Sequence, residues 1–477
     1  MTNILFIKPS GLDKTTPETL HPLGLMSLAA YLRHVGRRDE LQILDTRIHL
    51  DDTVERNLDR AVFVPDIVGL SALTIEARSM STYARAARAR WPHATIVCGG
   101  PHASSYPHEL VRETDVDVAV QGEGEITFAD LVQSLELGRP LDDVKGITFL
   151  RDGVSIETPP RDFIQDLDAL PWPAWDLVDI EAYASMRCMS TLPMRRYMTI
   201  FTSRACPYRC NYCHDVFGKV FRARSPENVV AEIEEIGRRY GITEFECVDD
   251  IFNIDNRRAE RICDEIIARG LEIGITFPNG LRADRLPRPL LEKLRRAGTR
   301  SISFAVETAS ERLQRATQKK MNLERLAQAV RDANDLGILC TGFFMLGFPG
   351  ETREELDRTV DFALSIPLHT AHFFIVTPFQ GTALAAEYPE TVRRHAASLD
   401  GYNYVRGNTN LSAVSDRELF RTQRLAWLRF YLRPSRILQI LRHYPQKRDL
   451  MAKAARLLTY KIIRNRRDDR LPALAPT

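Results

Sequence analysis

Short apolar runs alternate with helical patterns over the first 145 residues of this 477-residue chain. The runs Ile4–Ile7 and Ile67–Ala72 have the length of buried strands, whereas Leu23–Leu32 has apolar residues at helical spacing. Further strand-like runs are Leu41–Leu44, Ala94–Cys98 and Val116–Val120. Because strands that alternate with helices form right-handed βαβ units, the pattern predicts an α/β fold that begins with a Rossmann-like parallel sheet over residues 1–145.

The rest of the chain divides into three further segments. Residues 146–195 are rich in proline and tryptophan, which predicts a linker that packs against both of its neighbours. Over residues 196–385, apolar runs that end in polar residues begin at Tyr197, Thr243, Ile273, Ser301, Thr341 and His372. Polar residues beyond the strand ends are typical of catalytic barrels, so we expect a partial (β/α)6 barrel similar to a TIM barrel. The sequence of residues 386–477 predicts a helical C-terminal region.

Composition and charge limit the classes of function. Apolar residues make up 44% of the chain and charged residues 27%, which is ordinary for a soluble globular protein. The formal net charge is only +2, so we expect no nucleic-acid partner. No apolar stretch is long enough for a transmembrane helix, and the first residues read as a short strand, so we expect neither a membrane span nor a signal peptide. Eight cysteines without a disulfide framework suit a reducing compartment, so we expect a cytoplasmic protein.

The C-terminal end is the basic part of the chain. From Tyr431 onward, twelve Lys and Arg residues stand against three Asp residues. This excess predicts either peripheral contact with an anionic membrane surface or an acidic partner, or a solvated basic helix pair that covers one end of the barrel.

Three cysteines directly after the run Tyr197–Thr202 carry the strongest chemical signal, namely Cys206, Cys210 and Cys213. Thiolates at this spacing can bind three irons of a [4Fe–4S] cluster and leave the fourth iron open to a small molecule. A zinc site with His214 or Cys188 as the fourth ligand is the alternative, because thiolates also suit zinc. Structural zinc sites usually have two Cys or Cys/His pairs, and no second pair is present, so the spacing favours the cluster.

With Tyr212 before the third cysteine, this motif resembles the signature of the radical S-adenosylmethionine (SAM) superfamily. SAM has a cationic amino group, an anionic carboxylate and a ribose diol, so its pocket needs complementary charges. The resemblance implies SAM contacts at Tyr212 and at the strand ends. There it puts Asp249 or Asp250 on the amino group, Arg282 on the carboxylate, Glu307 on the ribose or amino group, and the adenine against the backbone at Gly347.

The strand ends of the N-terminal domain resemble the cobalamin-binding domain of cobalamin-dependent radical SAM enzymes, through the runs Gly99-Gly-Pro-His102 and Gly122-Glu-Gly-Glu125. The resemblance implies cobalamin contacts at Ser71, Thr74, Gly99, Gly100, His102, Gly122, Glu123, Gly124 and Glu125. Many cobalamin domains also carry an Asp-x-His-x-x-Gly run, whose histidine binds cobalt from below. This chain has none, so we expect no protein nitrogen beneath the cobalt and a loop hydrogen-bonding role for His102 and His108.

The resemblance covers residues 1–385 and implies an enzyme with three cofactors: a [4Fe–4S] cluster, SAM and cobalamin. It implies methylation of an unactivated carbon or phosphorus of a biosynthetic intermediate, with one SAM as methyl donor and a second as radical source. The expected partners are a small-molecule substrate and an external reductant of the flavodoxin or ferredoxin type. Radical cyclisation or rearrangement without methyl transfer remains the alternative, and a non-enzymatic cobalamin or cluster sensor a remote one. Cys98 is the only cysteine in the first 180 residues, which argues against a methylthiotransferase with a second cluster.

Overall fold

The computed structural model of the protein describes residues 1–10, 20–49, 52–184, 186–397 and 409–443. A seven-stranded sheet in the order β2-β1-β3-β4-β5-β6-β7 forms the N-terminal part. Its strands are β1 Asn3–Lys8, β2 Glu40–Asp45, β3 Ile67–Ser71, β4 Thr95–Gly99, β5 Val118–Val120, β6 Ile147–Arg151 and β7 Val154–Glu157. The helices are α1 Leu23–His34, α2 Val54–Leu58, α3 Ala77–Arg90, α4 Pro101–Ser105, α5 Pro107–Glu113 and α6 Gly124–Glu136. Strands β1 to β5 are parallel, which confirms the predicted Rossmann-like sheet.

The last two strands of this sheet extend beyond the predicted boundary at residue 145. Strands β6 and β7 form an antiparallel hairpin on β5, within the segment that we predicted to be linker. The turn consists of Asp152 and Gly153, which have φ angles of 49° and 76°. An Asp-Gly pair in this conformation matches the twist of a two-residue hairpin. The first sheet therefore ends at Glu157, and the linker is shorter than predicted.

A six-stranded parallel sheet in the order β15-β14-β13-β12-β11-β8 forms the second α/β unit. Its strands are β8 Tyr197–Ile200, β11 Glu244–Cys247, β12 Gly274–Leu281, β13 Thr299–Glu307, β14 Leu339–Leu346 and β15 Thr370–Ile375, and the short strands β9 Ser203–Arg204 and β10 Arg222–Ala223 pair separately. The helices are α7 Ile180–Ala184, α8 Pro226–Tyr240, α9 Asn256–Ala268, α10 Arg288–Arg296, α11 Glu311–Ala316, α12 Leu323–Asp335, α13 Arg353–Ser365, α14 Ala383–Glu387 and α15 Pro389–Ala397. Because β8 and β15 do not pair with each other, the barrel is open, as the partial-barrel prediction required.

Local sequence signals explain where the barrel helices begin and end. Helix α8 begins after Ser225, whose Oγ accepts the Asn228 N–H at 3.1 Å, and Pro226 occupies its first turn. It ends at Gly241, which has a φ of 64°. Helix α13 begins with a reciprocal capping pair between Thr352 and Glu355. These caps fix the helix starts beside the strand ends, where the site residues lie.

The remaining linker packs against both α/β units, as its tryptophans predicted. Trp175 is buried and shares one hydrophobic cluster with Met26 of α1 and the core of the barrel. Its Nε1 donates to Glu232 of α8 at 3.2 Å. The Ala174 N–H donates to the Met26 carbonyl at 3.2 Å. The two units therefore meet in a continuous apolar contact.

The C-terminal helices cover the open edge of the barrel. Helix α16, Asp416–Tyr431, is followed by α17, Pro434–His443. The Tyr431 hydroxyl lies 3.1 Å from both the N and the O of Ala371 in edge strand β15, and the Gln423 amide donates to the Phe373 carbonyl at 2.7 Å. These contacts satisfy backbone groups that an edge strand otherwise leaves unpaired. Most of the basic segment, residues 444–477, lies outside the described residues. Within the described ranges, no helix has the length and apolar character needed to cross a bilayer.

Candidate functional site

A two-stranded ribbon holds both ends of the cysteine loop. Strands β9 and β10 pair antiparallel, with Arg204 opposite Arg222, and residues 205–221 form the loop between them. Two arginines opposite each other repel, so this pairing needs a compensating negative charge. A negative charge is therefore needed beside Arg204, two residues before Cys206.

Two carboxylates of the N-terminal domain supply the compensating charge. Glu123 accepts hydrogen bonds from Arg204 Nη1 at 2.9 Å, Arg222 Nη1 at 2.8 Å and the Ile164 N–H at 2.7 Å. Glu125 accepts from Arg204 Nη2 at 2.5 Å. The side chains of Glu123 and Arg222 are each only 3% exposed. We call the set Glu123, Glu125, Arg204 and Arg222 the interdomain clamp. The carboxylates that we predicted to contact cobalamin thus bind the ribbon of the cysteine loop.

The three cysteines lie on the loop between β9 and β10. Cys206 and Cys210 are half-buried, Cys213 is exposed, and all three are free thiols. Among the described residues, no three His, Cys, Asp or Glu side chains converge on one point as a mononuclear site requires. A [4Fe–4S] cluster binds each thiolate at a different iron, so three cysteines on one loop can hold three of its irons. Ala205, directly before the first cysteine, has a φ of 71°, a strained conformation that turns the chain into the loop.

The two aspartates after β11 have different roles. Asp249 is buried, and its oxygens accept from the Thr202 N–H at 2.6 Å and from the hydroxyls of Thr202 and Ser203 at 2.5 Å each. It therefore fixes the strand end that leads into the cysteine loop, and contact with the SAM amino group stays a prediction for Asp250. Burial raises the pKa of Asp250, while the nearby His214 partly offsets this effect.

The structure brings Tyr212 and Glu307 together beside the cysteines. Burial and the nearby Glu307 carboxylate and Cys210 thiol raise the pKa of the Tyr212 hydroxyl. Glu307 ends β13 with a φ of 66°, and its Oε1 lies 3.3 Å from Lys319 Nζ. Strained non-glycine residues cluster at functional sites, and Ala205 and Glu307 both lie at this edge of the barrel.

Arg282 is already engaged by protein groups. Its Nε donates to Asp284 at 2.8 Å, and its Nη atoms donate to the carbonyls of Lys319 and Lys320 at 3.1 Å each. Its guanidinium carbon lies 4.0 Å from the ring centroid of Tyr208, within the cysteine loop. Arg282 therefore orients the loop through Tyr208, and most of its donors are not available to a SAM carboxylate.

Gly347 follows β14 and is held by Glu351. Glu351 Oε2 accepts from the N–H groups of Gly347 at 2.6 Å and Phe348 at 3.0 Å. Burial raises the pKa of Glu351 to about 8, and its Oε1 has no hydrogen-bond partner. Phe348 in turn packs edge-to-face against Tyr212, with ring centroids 5.8 Å apart. This turn therefore supports the aromatic side of the cysteine loop.

The C-terminal edge of the first sheet forms a cradle of small residues. Gly100 has a φ of 89°, and a Cβ there would lie 3.1 Å from both the Ala72 carbonyl and the Ser71 hydroxyl. The Ser104 hydroxyl accepts the Gly122 N–H at 3.0 Å, which ties the loop after β5 to α4. Gly99 ends β4, Thr74 begins the short turn after β3, and Gly124 begins α6. These residues lie at the carboxyl ends of parallel strands, where ligands of such sheets bind.

The histidines near this edge differ in their surroundings. His102 is buried, its Nδ1 has no hydrogen-bond partner, and burial lowers its pKa to about 4. His108 is engaged by the hairpin, with Ser155 at 2.7 Å and Glu157 at 3.0 Å. His102 is therefore a neutral imidazole with a free ring nitrogen at the cradle, which is a polar group that a bound cofactor can satisfy.

The C-terminal edges of the two sheets face each other. The interdomain clamp joins the loop after β5 to the ribbon after β8. On this side Phe163 of the linker lies against Gly218. The guanidinium carbon of Arg222 lies over the Phe163 ring, 4.9 Å from the ring centroid. At a second point Ser105 of α4 approaches Gly381, in the loop after β15. The cradle and the cysteine loop therefore lie along the same interface.

Sequence reasoning missed the arginines of the clamp, together with Glu351. A signal existed, because Arg204 stands two residues before Cys206 and the Gly-Glu-Gly-Glu run has two carboxylates near a predicted strand end. Buried carboxylates need positive partners. The two partners of Glu123, however, are Arg204 and Arg222, which lie 81 and 99 residues away along the chain, so only the fold identifies them.

Comparison with known proteins identifies the two domains. The model of the radical SAM superfamily matches residues 200–363, and that of the B12 binding domain matches residues 10–132. An uncharacterized methyltransferase of Pyrococcus horikoshii is 30% identical over 92% of this chain and 95% of its own length. Cytidylyl-2-hydroxyethylphosphonate methyltransferase of Streptomyces wedmorensis is 28% identical over 80% and 81%, and anaerobic magnesium-protoporphyrin IX monomethyl ester cyclase of Rubrivivax gelatinosus is 27% identical over 86% and 74%.

Solved structures show the same architecture. The radical SAM methyltransferase TsrM from Kitasatospora setae has a TM-score of 0.65 at 20% identity and covers 81% of this chain and 76% of its own. The cobalamin-dependent radical SAM enzyme OxsB has a TM-score of 0.70 at 17% identity, over 97% and 71%. At these identities the likeness shows the fold. Together with the sequence relatives, it defines a class of protein in which a B12-binding sheet precedes a radical SAM barrel. This chain belongs to the family of cobalamin-dependent radical SAM enzymes.

Proposed function

We propose that this enzyme is a methyltransferase that methylates an unactivated carbon or phosphorus of a small biosynthetic intermediate. When bound, cobalamin would supply a methyl carrier, and the [4Fe–4S] cluster with SAM would supply a 5′-deoxyadenosyl radical. The observation that supports this most is that the glycine cradle and the cysteine loop lie along one interface, joined by the interdomain clamp. A substrate between them would lie within reach of both cofactors.

Each group of residues would have a separate task in this reaction. Cys206, Cys210 and Cys213 would each hold one iron, and the pocket beside them would bind SAM. In that pocket Asp250 and Glu307 would meet the cationic amino group and the ribose diol of SAM. Asp249, Arg282 and Glu351 are positioning residues, because they act on the backbone or the aromatic rings of the loop.

The N-terminal cradle would hold cobalamin without a protein nitrogen on cobalt. The small residues Ser71, Gly99, Gly100 and Gly122 leave room for the corrin ring, and Thr74 lies at the rim. His102 would donate or accept a hydrogen bond with a side chain of the cofactor. The clamp would exclude water from one side of the interface, so that the radical meets substrate first.

Two of the three relatives described above are named methyltransferases, and the chain spans 95% and 81% of their lengths. The third is named a cyclase, which keeps cyclisation or rearrangement as the second candidate. The test is an anaerobic incubation of reconstituted enzyme with methyl-deuterated SAM and a panel of candidate substrates. The panel begins with nucleotidylated phosphonates and tetrapyrroles, because the relatives are named for these compounds. A product that gains the labelled methyl supports the proposal, whereas a product formed with 5′-deoxyadenosine but without label supports the second candidate.

A further inference from the structure

The cysteine loop has two sides with different surroundings. One side, at Arg204 and Arg222, is closed by the interdomain clamp, whose arginine side chains are 11% and 3% exposed. The other side, at Tyr208, borders a groove of about 680 Å³ formed by the start of α9, the segment between β12 and α10, and one face of α12. A large molecule can approach the loop only from a side that the N-terminal domain leaves open.

The groove lies directly against the loop. Tyr208 lines it, and the Tyr208 ring rests on Arg282, whose Nη2 donates to the Lys320 carbonyl. The neighbouring turn is attached to the same loop, since the Asn211 N–H donates to the Thr317 carbonyl at 3.1 Å. A partner in the groove would therefore touch Tyr208 of the cysteine loop itself.

The rim of the groove has an excess of positive charge. Both carboxylates that line the groove are already paired, Asp284 with the neighbouring Arg282 and Asp332 with the lining residue Arg288, so these charges cancel. Four exposed cations form no ion pair within the described part of the chain. Arg285 and Arg325 line the groove, whereas Arg209 follows the lining residue Tyr208 and Lys320 is joined through its carbonyl to Arg282, on which Tyr208 rests. We call these four residues the basic rim. The carboxylate of Glu324 lines a separate groove, between α12 and α13.

We propose that the basic rim is the docking surface for an acidic one-electron carrier protein that reduces the cluster. The proposal rests on the proposed function, in which one electron passes from the carrier through the cluster to the SAM sulfonium. The C5′–S bond then breaks into methionine and a 5′-deoxyadenosyl radical, and the carrier is oxidised by one electron. Such encounters use small interfaces, typically below about 1,200 Å², and depend on charge complementarity for their rate.

The test compares two variants that each lose three positive charges. The rim variant is Arg285→Gln/Lys320→Gln/Arg325→Gln, which leaves Arg209 between the cysteines unchanged. The control is Arg38→Gln/Arg139→Gln/Arg296→Gln. These exposed arginines lie in the segment after α1, in the segment after α6 and at the last residue of α10, respectively. Reduction of the cluster is followed by stopped-flow absorbance, with a purified acidic flavodoxin in its hydroquinone form as the probe.

We expect the rim variant to be reduced by flavodoxin roughly tenfold more slowly than wild type at low salt, and the control within about twofold. This difference in reduction rate should disappear at ~0.5 M salt, because exposed charges are then screened. Photoreduction with 5-deazaflavin should give equal 5′-deoxyadenosine in all three proteins. Equal flavodoxin rates for rim variant and control would overturn the proposal.

Two further outcomes are also decisive. If inorganic phosphate binds wild type but not the rim variant, and slows flavodoxin no more than chloride at equal ionic strength, the groove is a small-anion site and the proposal is overturned. If wild type forms no 5′-deoxyadenosine after deazaflavin photoreduction, the radical chemistry itself is wrong. That result is distinguishable, because it appears without any carrier protein.

Discussion

The substitution Glu123→Gln tests whether the interdomain clamp stabilises the enzyme. Glu123 accepts hydrogen bonds from three groups, Arg204, Arg222 and the Ile164 N–H, at 2.7 to 2.9 Å, and its side chain is 3% exposed. Breaking a buried ion pair by removing one partner costs about 3–5 kcal/mol, because the other charge stays buried. The glutamine side chain still has one oxygen that can accept a hydrogen bond, and Arg204 still pairs with Glu125. We therefore expect a loss of unfolding free energy at the lower end of this range, about 3 kcal/mol. A loss of that size lowers the folding equilibrium constant roughly a hundredfold.

Urea unfolding followed by tryptophan fluorescence measures this loss, because Trp172 and Trp175 lie between the two α/β units and bond to α8. The matched control is Glu235→Gln, which breaks an exposed pair with Arg238 and should cost ~1 kcal/mol or less. Combining Glu123→Gln with Arg222→Gln should cost less than the sum of the single changes, since both act on one pair. If Glu123→Gln is no more destabilising than the control, the clamp contributes nothing measurable and this reasoning is refuted.

Three further predictions concern the cofactor sites. The triple change of Cys206, Cys210 and Cys213 to Ala should abolish the cluster absorbance, and about four irons per chain in that variant would contradict the assignment. Gly100→Val should weaken cobalamin binding at least tenfold in equilibrium dialysis, because its Cβ would meet Ala72 and Ser71 atoms at 3.1 Å in a backbone conformation that disfavours valine; unchanged binding would place the cofactor elsewhere. Glu351 holds its proton in the folded state up to a pKa of about 8, against 4.5 when unfolded, so the unfolding free energy of wild type should fall by a few kcal/mol between those pH values. Glu351→Gln should lack that decrease. Urea unfolding at several pH values measures it, and an equal dependence of the unfolding free energy on pH in the two proteins would show that Glu351 does not titrate there.

The apolar runs predicted most of the fold because strand spacing is a local property. Every predicted strand of the first sheet and the six strands of the barrel were found, beginning with Ile4–Ile7 in β1 and Tyr197–Thr202 in β8. The β6–β7 hairpin was also readable, from Asp152-Gly153 between two apolar runs, but the nearby prolines favoured a linker. The roles of side chains were harder to predict, since Asp249 and Asp250 are adjacent and only the fold shows that Asp249 faces Thr202.

The clamp shows the same limit over a longer distance. The sequence places Glu123 at a strand end, where a cofactor contact is the local expectation. Its actual partners come from a ribbon in the second α/β unit, and charge pairing across such a distance leaves no periodic signal. The same applies to Arg282, whose donors are taken by Asp284 and by a turn that the sequence does not place beside it.

The most direct test of the account counts two products from SAM in the same anaerobic sample, without any substrate. Enzyme reconstituted with iron, sulfide and hydroxocobalamin is reduced with titanium(III) citrate and mixed with SAM. We predict about one S-adenosylhomocysteine per bound cobalamin, together with 5′-deoxyadenosine, and we predict that the triple cysteine variant keeps the first product and loses the second. Formation of 5′-deoxyadenosine without S-adenosylhomocysteine in the cobalamin-loaded wild type would contradict methyl transfer.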